Sequence, residues 1–104
     1  MKPLFEILPT ILEKTAEAAK QKLQTAQQCS SWIQIDILDG SLFPNVTWHD
    51  ASQAKLWKIK GNLELHLMVN HPERIIEQWK ALPKCKRIIW HVEAEVDHIS
   101  LIEK

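Results

Sequence analysis

Two hydrophobic periods alternate along the chain. Ile33, Ile35 and Ile37 alternate with Trp32, Gln34, Asp36 and Leu38, a period of two with β-branched residues that predicts a strand over residues 31–38. The same period in Leu63, Leu65, Leu67 and Val69 predicts a strand over 63–69, and Ile88, Trp90 and Val92 predict one over 86–92. A short strand over 5–8 ends at Pro9. Between these stretches the spacing changes to threes and fours. Leu12, Ala16, Ala19, Leu23 and Ala26 predict an amphipathic helix over 11–28. Asp50 is a candidate N-cap for a helix over 51–59, anchored by Leu56 and Trp57. Pro72 and Glu73 suit the first turn of a helix that runs to about Leu82, buries Ile75, Ile76 and Trp79, and stops at Pro83. A last helix starts near Asp97.

Four strand–helix units in alternation predict the α/β class, with a parallel sheet and right-handed crossovers. A closed βα barrel takes about 250 residues. The 104 residues here form one domain, so the expectation is a (βα)4 parallel half-barrel of the TIM-barrel type, which self-association would complete.

The faces of these strands differ in polarity. The isoleucine and leucine rows suit packing under helices. The opposite rows hold Glu6, Leu8 and Thr10, then Gln34 and Asp36, then Glu64, His66 and Met68, then Arg87, Ile89, His91 and Glu93. Strands of a parallel sheet are normally apolar on both faces. Ionisable groups on one face therefore have to be paired, wet or functional. In a barrel that face is the lumen, and its C-terminal rim is where chemistry sits. Thr10, Asp36, His66 and Met68, with His91 and Glu93 nearby, are the rim candidates. Imidazole and carboxylate on neighbouring strands could hold a divalent metal. They could equally satisfy one another as a hydrogen-bonded network, and spacing alone favours the network. After the second strand, Asp39-Gly40 breaks the pattern, and a long loop with Pro44 and Asn45 follows; such loops are usually functional.

The stretch IDILDGSLFPNVT, residues 35–47, resembles the second strand and following loop of ribulose-phosphate 3-epimerases. LELHLMVNHPER, residues 63–74, resembles their third strand and the start of the next helix. WHVEA, residues 90–94, resembles their fourth strand, and PTIL, residues 9–12, the end of their first. The blocks run in order at the family's spacing and cover the N-terminal half of a family member. The resemblance implies that Asp36 is a general acid/base at C3 of a ketopentose phosphate and also a metal ligand. It implies that His66 binds the same zinc-like metal. Thr10 then stands in for a substrate-binding serine, Met68 packs against the enediolate, and Asn45, with Pro44, flanks the substrate. This reverses the preference for a plain network at Asp36 and His66. The chain departs from the pattern at Gln34, which replaces a metal-binding histidine with a weaker amide ligand, and at Leu38, which replaces a methionine. In the family the second catalytic aspartate, a further metal ligand and the phosphate loops lie on later strands.

Composition narrows the partners. With 13 basic and 13 acidic residues the formal net charge is zero, which gives no electrostatic case for nucleic acid or an anionic membrane. No apolar run approaches the ~20 residues of a membrane span, and the N-terminus lacks a signal-peptide pattern, so the cytoplasm is expected. Cys29 and Cys85 fit neither a redox pair nor a zinc ribbon, and are expected as small buried hydrophobes near strand starts. The two glycines, Gly40 and Gly61, supply no phosphate-wrapping loop. His49 and His71 suit capping or surface roles, and His98 an exposed place on the last helix. Trp32, Trp57, Trp79 and Trp90 suit the core; Trp48 is left open.

Three functions follow. The first is an epimerase-like site that interconverts ribulose 5-phosphate and xylulose 5-phosphate, weakly or not at all in a lone chain, and is completed in a homodimer where strand three of one copy replaces strand seven. The second is a non-catalytic, self-associating half-barrel domain. The third is a fragment of a longer barrel enzyme.

Overall fold

The structure is a computed structural model and describes residues 6–103. Its elements are β1 (Thr10–Ile11), α1 (Ala16–Cys29), β2 (Trp32–Leu38), α2 (Ala51–Leu56), β3 (Asn62–Met68), α3 (Pro72–Trp79), β4 (Cys85–Trp90) and α4 (His98–Ile102). The four strands form one sheet in the order β1-β2-β3-β4, with every neighbouring pair parallel. Sequential parallel strands joined through helices are the architecture of half a TIM barrel.

One face of the sheet carries the core. Ile33, Ile35 and Ile37 of β2 and Leu63, Leu65 and Leu67 of β3 are fully or almost fully buried. They belong to one cluster with Ala19, Leu23 and Ala26 of α1, Ala51 and Ala54 of α2, and Ile75 and Trp79 of α3. Burying each such Ile or Leu contributes about 1.5–3 kcal/mol. Trp48, in the loop before α2, joins this core. It stacks on Trp57 at 4.6 Å and meets Trp79 edge-on at 5.8 Å. Its indole Nε1 donates to Gln53 Oε1 at 2.7 Å.

Among the described residues no helix covers the opposite face, whose Gln34, Asp36, His66 and Met68 are half-buried. The alternation read from sequence therefore assigned both faces of β2 and β3. β4 needs one further device. Leu63 pairs with Cys85 but Glu64 pairs with Arg87, so Lys86 is an extra residue in a bulge. The bulge lets Cys85 and Ile88 both pack on the helix-side core while Arg87 faces the lumen.

Several expectations are corrected. The first strand lies at Thr10–Ile11; residues 6–8 are not in a strand, and Phe5 lies outside the described residues. Gln34 N–H donates to Pro9 C=O, so Pro9 sits where its missing donor is not needed and pairing continues beyond it. The first helix begins at Ala16 because Thr15 caps it, its Oγ1 accepting from Ala18 N–H. Leu12 is thus outside the helix and 58% exposed. Asp50 caps α2 as expected, but α2 ends at Leu56, which is 79% exposed, and Ala51 and Ala54 bury that helix instead. α3 ends at Trp79, with Ile76 only half-buried. β4 ends at Trp90, so Val92 leaves the sheet and is 81% exposed. Cys29 ends α1 and is exposed, whereas Cys85 is half-buried and burial pushes its thiol above the usual range. Trp32 and Trp90 are only partly buried. His98 is half-buried against Trp90, whose Nε1 donates to His98 Nδ1 at 2.9 Å.

Candidate active site

Parallel register puts Asp36 of β2 directly beside His66 of β3, both on the open face near the C-terminal ends of their strands. Asp36 Oδ1 accepts from Gln34 Nε2 at 2.9 Å and lies 3.1 Å from His66 Nδ1. Side-chain exposure is 15% for Asp36 and 26% for His66, so the pair is sheltered but reachable. His66 Nε2 lies 3.0 Å from His91 Nε2, with the rings stacked 13° from parallel. His91 Nδ1 is 3.7 Å from Glu93 Oε2. Phe43, from the loop after β2, meets His91 edge-on at 5.8 Å. The outcome is a chain of side chains across the rim, Gln34, Asp36, His66, His91 and Glu93, running from β2 to the segment after β4.

Two rows toward the strand starts, Glu64 is 5% exposed and pairs with Arg87 at 2.9 Å. The Arg87 guanidinium also lies 4.6 Å from the centre of the Trp32 ring. This cluster fills the base of the open face below Asp36. It satisfies the buried carboxylate and accounts for the ionisable residues there without chemistry.

The other expected site residues are spread along the rim. Thr10 is paired in register with Gln34 and is exposed. Met68 is half-buried and paired in register with Leu38, itself 6% exposed. Asn45 and Pro44 are exposed in the loop. A cleft of about 600 Å³ lies between Thr47–Ser52 and Gln78, and none of the rim residues lines it.

The residue missed from sequence is Thr47. It is 6% exposed, and its Oγ1 accepts from Leu38 N–H and donates to Asp36 C=O, both at 3.0 Å. Thr47 N–H also donates to Leu38 C=O. Thr47 therefore clamps the end of β2 on either side of Ile37 and fixes the backbone that carries Asp36. The only signal was a β-branched hydroxyl residue at the end of a long loop. Gly40, at the start of the loop, has φ +85°, a conformation that lets the chain turn away from β2. Thr47→Val keeps the shape but leaves a buried amide and carbonyl short of a partner, and is expected to lower stability by about 1–3 kcal/mol. Urea unfolding of the two proteins measures it; a change under about 0.5 kcal/mol would mean that water replaces the hydroxyl.

The expected metal set fares less well. Gln34 presents its amide nitrogen to Asp36, and both ring nitrogens of His66 are already engaged. Among the described residues no group of three His, Cys, Asp or Glu side chains is placed to hold a metal ion. Gln34, Asp36 and His66 as arranged do not fit a shared metal.

A sequence profile of the ribulose-phosphate 3 epimerase family matches residues 6–104. The chain belongs to that family. It is 27% identical over 92 residues, 86% of its own length, to a ribulose-phosphate 3-epimerase of Rhodobacter capsulatus. It spans 40% of that relative's length. The family assignment accounts for the parallel sheet in sequential order. No helix among the described residues is long and apolar enough to cross a membrane.

Proposed function

We propose that this chain carries the proton-transfer carboxylate of a ribulose-phosphate 3-epimerase-like site, acting on ketopentose phosphates such as ribulose 5-phosphate and xylulose 5-phosphate. The observation that carries the reading is Asp36: a carboxylate on the open face, near the end of a parallel strand, steadied by Gln34 and His66. A positioned carboxylate removes the proton at C3 and returns it. Within one chain it acts on one face of the carbon. Inversion needs a second acid/base on the other face.

That division gives a direct test. In heavy water the chain should exchange the C3 hydrogen of ribulose 5-phosphate faster than it forms xylulose 5-phosphate, and Asp36→Asn should abolish the exchange. Exchange that survives in Asp36→Asn would remove Asp36 from the reaction. A wild-type chain that exchanges nothing would favour the non-catalytic domain.

The second half of the site would come from further strands placed against β1 and β4. Bare parallel edges invite pairing, and Ile89, Val92, Ile99 and Ile102, on β4, α4 and the segment between them, are 41–81% exposed. A second copy related by a two-fold axis along the barrel would set β4 of one chain beside β1 of the other and bring two Asp36 carboxylates to one cavity. Sedimentation equilibrium should then give a dimer, and Ile89→Lys with Val92→Lys should give a monomer without epimerisation. A wild-type monomer would leave only longer chains of the family as the source of the missing strands.

A further inference from the structure

The outer edges of β1 and β4 are unpaired among the described residues, and they carry complementary side chains. Along the free edge of β4 runs a cavity of about 330 Å³, lined by Ile88, Ile89, Trp90, Val92, His98 and Ile102. The lining comes from both faces of the strand and from α4, as in a slot for one more strand. Arg87, at the base of this edge, keeps half of its side chain exposed although Nη1 holds Glu64. On the other edge, the segment leading into β1 offers Glu6 and Ile7, both exposed, and Leu8, half-buried. Ile7 alone is 80% exposed. Gln34 N–H donates to Pro9 C=O, so Pro9 turns its backbone toward β2. The backbone groups of Leu8 and Thr10 then face the free edge, where the missing N–H of Pro9 is not needed.

Barrel geometry dictates how two such edges meet. Strands of an eight-stranded βα barrel tilt right-handedly, so a row of paired residues sinks toward the strand starts as it goes round. It returns to its first strand roughly eight residues lower. In a two-fold assembly each four-stranded half carries roughly four of them. Thr10, Gln34, Glu64 and Arg87 lie in one such row. The row therefore meets the first strand of a second copy about four residues before Thr10, at Glu6. In that register Arg87 neighbours Glu6, Ile88 neighbours Ile7, and Ile89 neighbours Leu8. Opposite charges meet on the lumen face, and aliphatic side chains meet on both faces. A shift of two residues would set Arg87 against Leu8 and Ile89 against Thr10. A shift of one would turn lumen residues to the helix side.

We propose, resting on the two-copy assembly put forward above, that the occupant of the β4 edge is the segment 6–10 of a second copy. It is held in this one register by an Arg87–Glu6 ion pair and by Ile7 and Leu8 against Ile88 and Ile89. Arg87 serves both copies: Nη1 holds Glu64 of its own chain, and the remaining N–H donors of the fork reach Glu6 of the other. The same register brings Thr10 of the second copy level with His91, so the rim of one copy is continued by the rim of the other.

The experiment uses the full chain with its native thiols replaced by Cys29→Ser and Cys85→Ala. Into it go Leu8→Cys and Ile89→Cys together. Mild oxidation should give a covalent dimer on a non-reducing gel with no free thiol left, because the two positions neighbour each other at both seams. Thr10→Cys with Ile89→Cys, two residues out of register, places the Cα atoms about 8 Å apart, beyond the reach of a disulfide, and should link at least about tenfold more slowly. Glu6→Lys, at a position exposed in the single chain, should weaken the dimer about tenfold or more in sedimentation at low salt, with an unchanged circular dichroism spectrum. Raising the salt should narrow that gap. A wild-type chain that stays monomeric up to about 100 μM overturns the proposal. So does a dimer that Glu6→Lys leaves intact and in which the shifted pair links as fast as the matched one. The Asp36-dependent exchange at C3 is measured on the same preparations. Exchange without a dimer overturns the seam and keeps the carboxylate reading; a dimer linked in register without exchange supports the seam and removes the catalytic reading.

Discussion

Trp79→Ala should remove about 3–5 kcal/mol of stability, the largest loss expected from a single change in this chain. Trp79 is fully buried at the end of α3, edge-on to Trp48, with its Nε1 donating to His49 C=O at 3.3 Å. Truncation empties the space between α3, the sheet and the Trp48–Trp57 stack, and leaves the His49 carbonyl without that donor. Small domains have only about 5–15 kcal/mol in total, so the variant should be largely unfolded under mild conditions. Trp79→Phe keeps most of the volume and loses the N–H, and should cost less than half as much. Urea midpoints for the three proteins are the measurement. A loss under about 1 kcal/mol in Trp79→Ala would show that the tryptophan cluster is peripheral to the fold.

Asp36→Asn has the largest expected effect on chemistry. An asparagine in the same place keeps a carbonyl oxygen for Gln34 and His66 but cannot take a proton from carbon. Removing a positioned general base lowers the rate by about 10²–10⁴-fold. The C3 exchange rate of the wild-type chain should fall by that factor, with stability close to the parent because Asp36 sits on the open face. Asp36→Glu should restore part of the exchange, since the carboxylate returns about one methylene further out. If the asparagine and glutamate variants behaved alike, the defect would be one of structure and not of proton transfer.

Much of this arrangement could be read from the chain. The isoleucines of β2 and the leucines of β3 fix their faces by alternation alone, and that placed Gln34, Asp36, Glu64, His66 and Met68 on the side without helices. The resemblance then singled out Asp36 and His66, which register indeed sets side by side. What could not be read depends on contacts distant in sequence. The bulge at Lys86 comes from matching β4 to β3 and has no local signature. The Thr47 clamp joins residues 9 and 11 apart through one hydroxyl. The hydrophobic period starts the first helix too early because Leu12 fits it, while Thr15, a good cap, lies inside the run. The His66–His91 contact needed both the register of β3 on β4 and the path of the chain after Trp90.

Every rung of the sheet joins strands that follow one another along the chain. Assembly therefore requires only modest loop closures and never waits for a distant segment to arrive. On the ribosome, β2 can dock on β1 and then offer its free side to β3 as that strand emerges, so the structure can grow in the direction of synthesis.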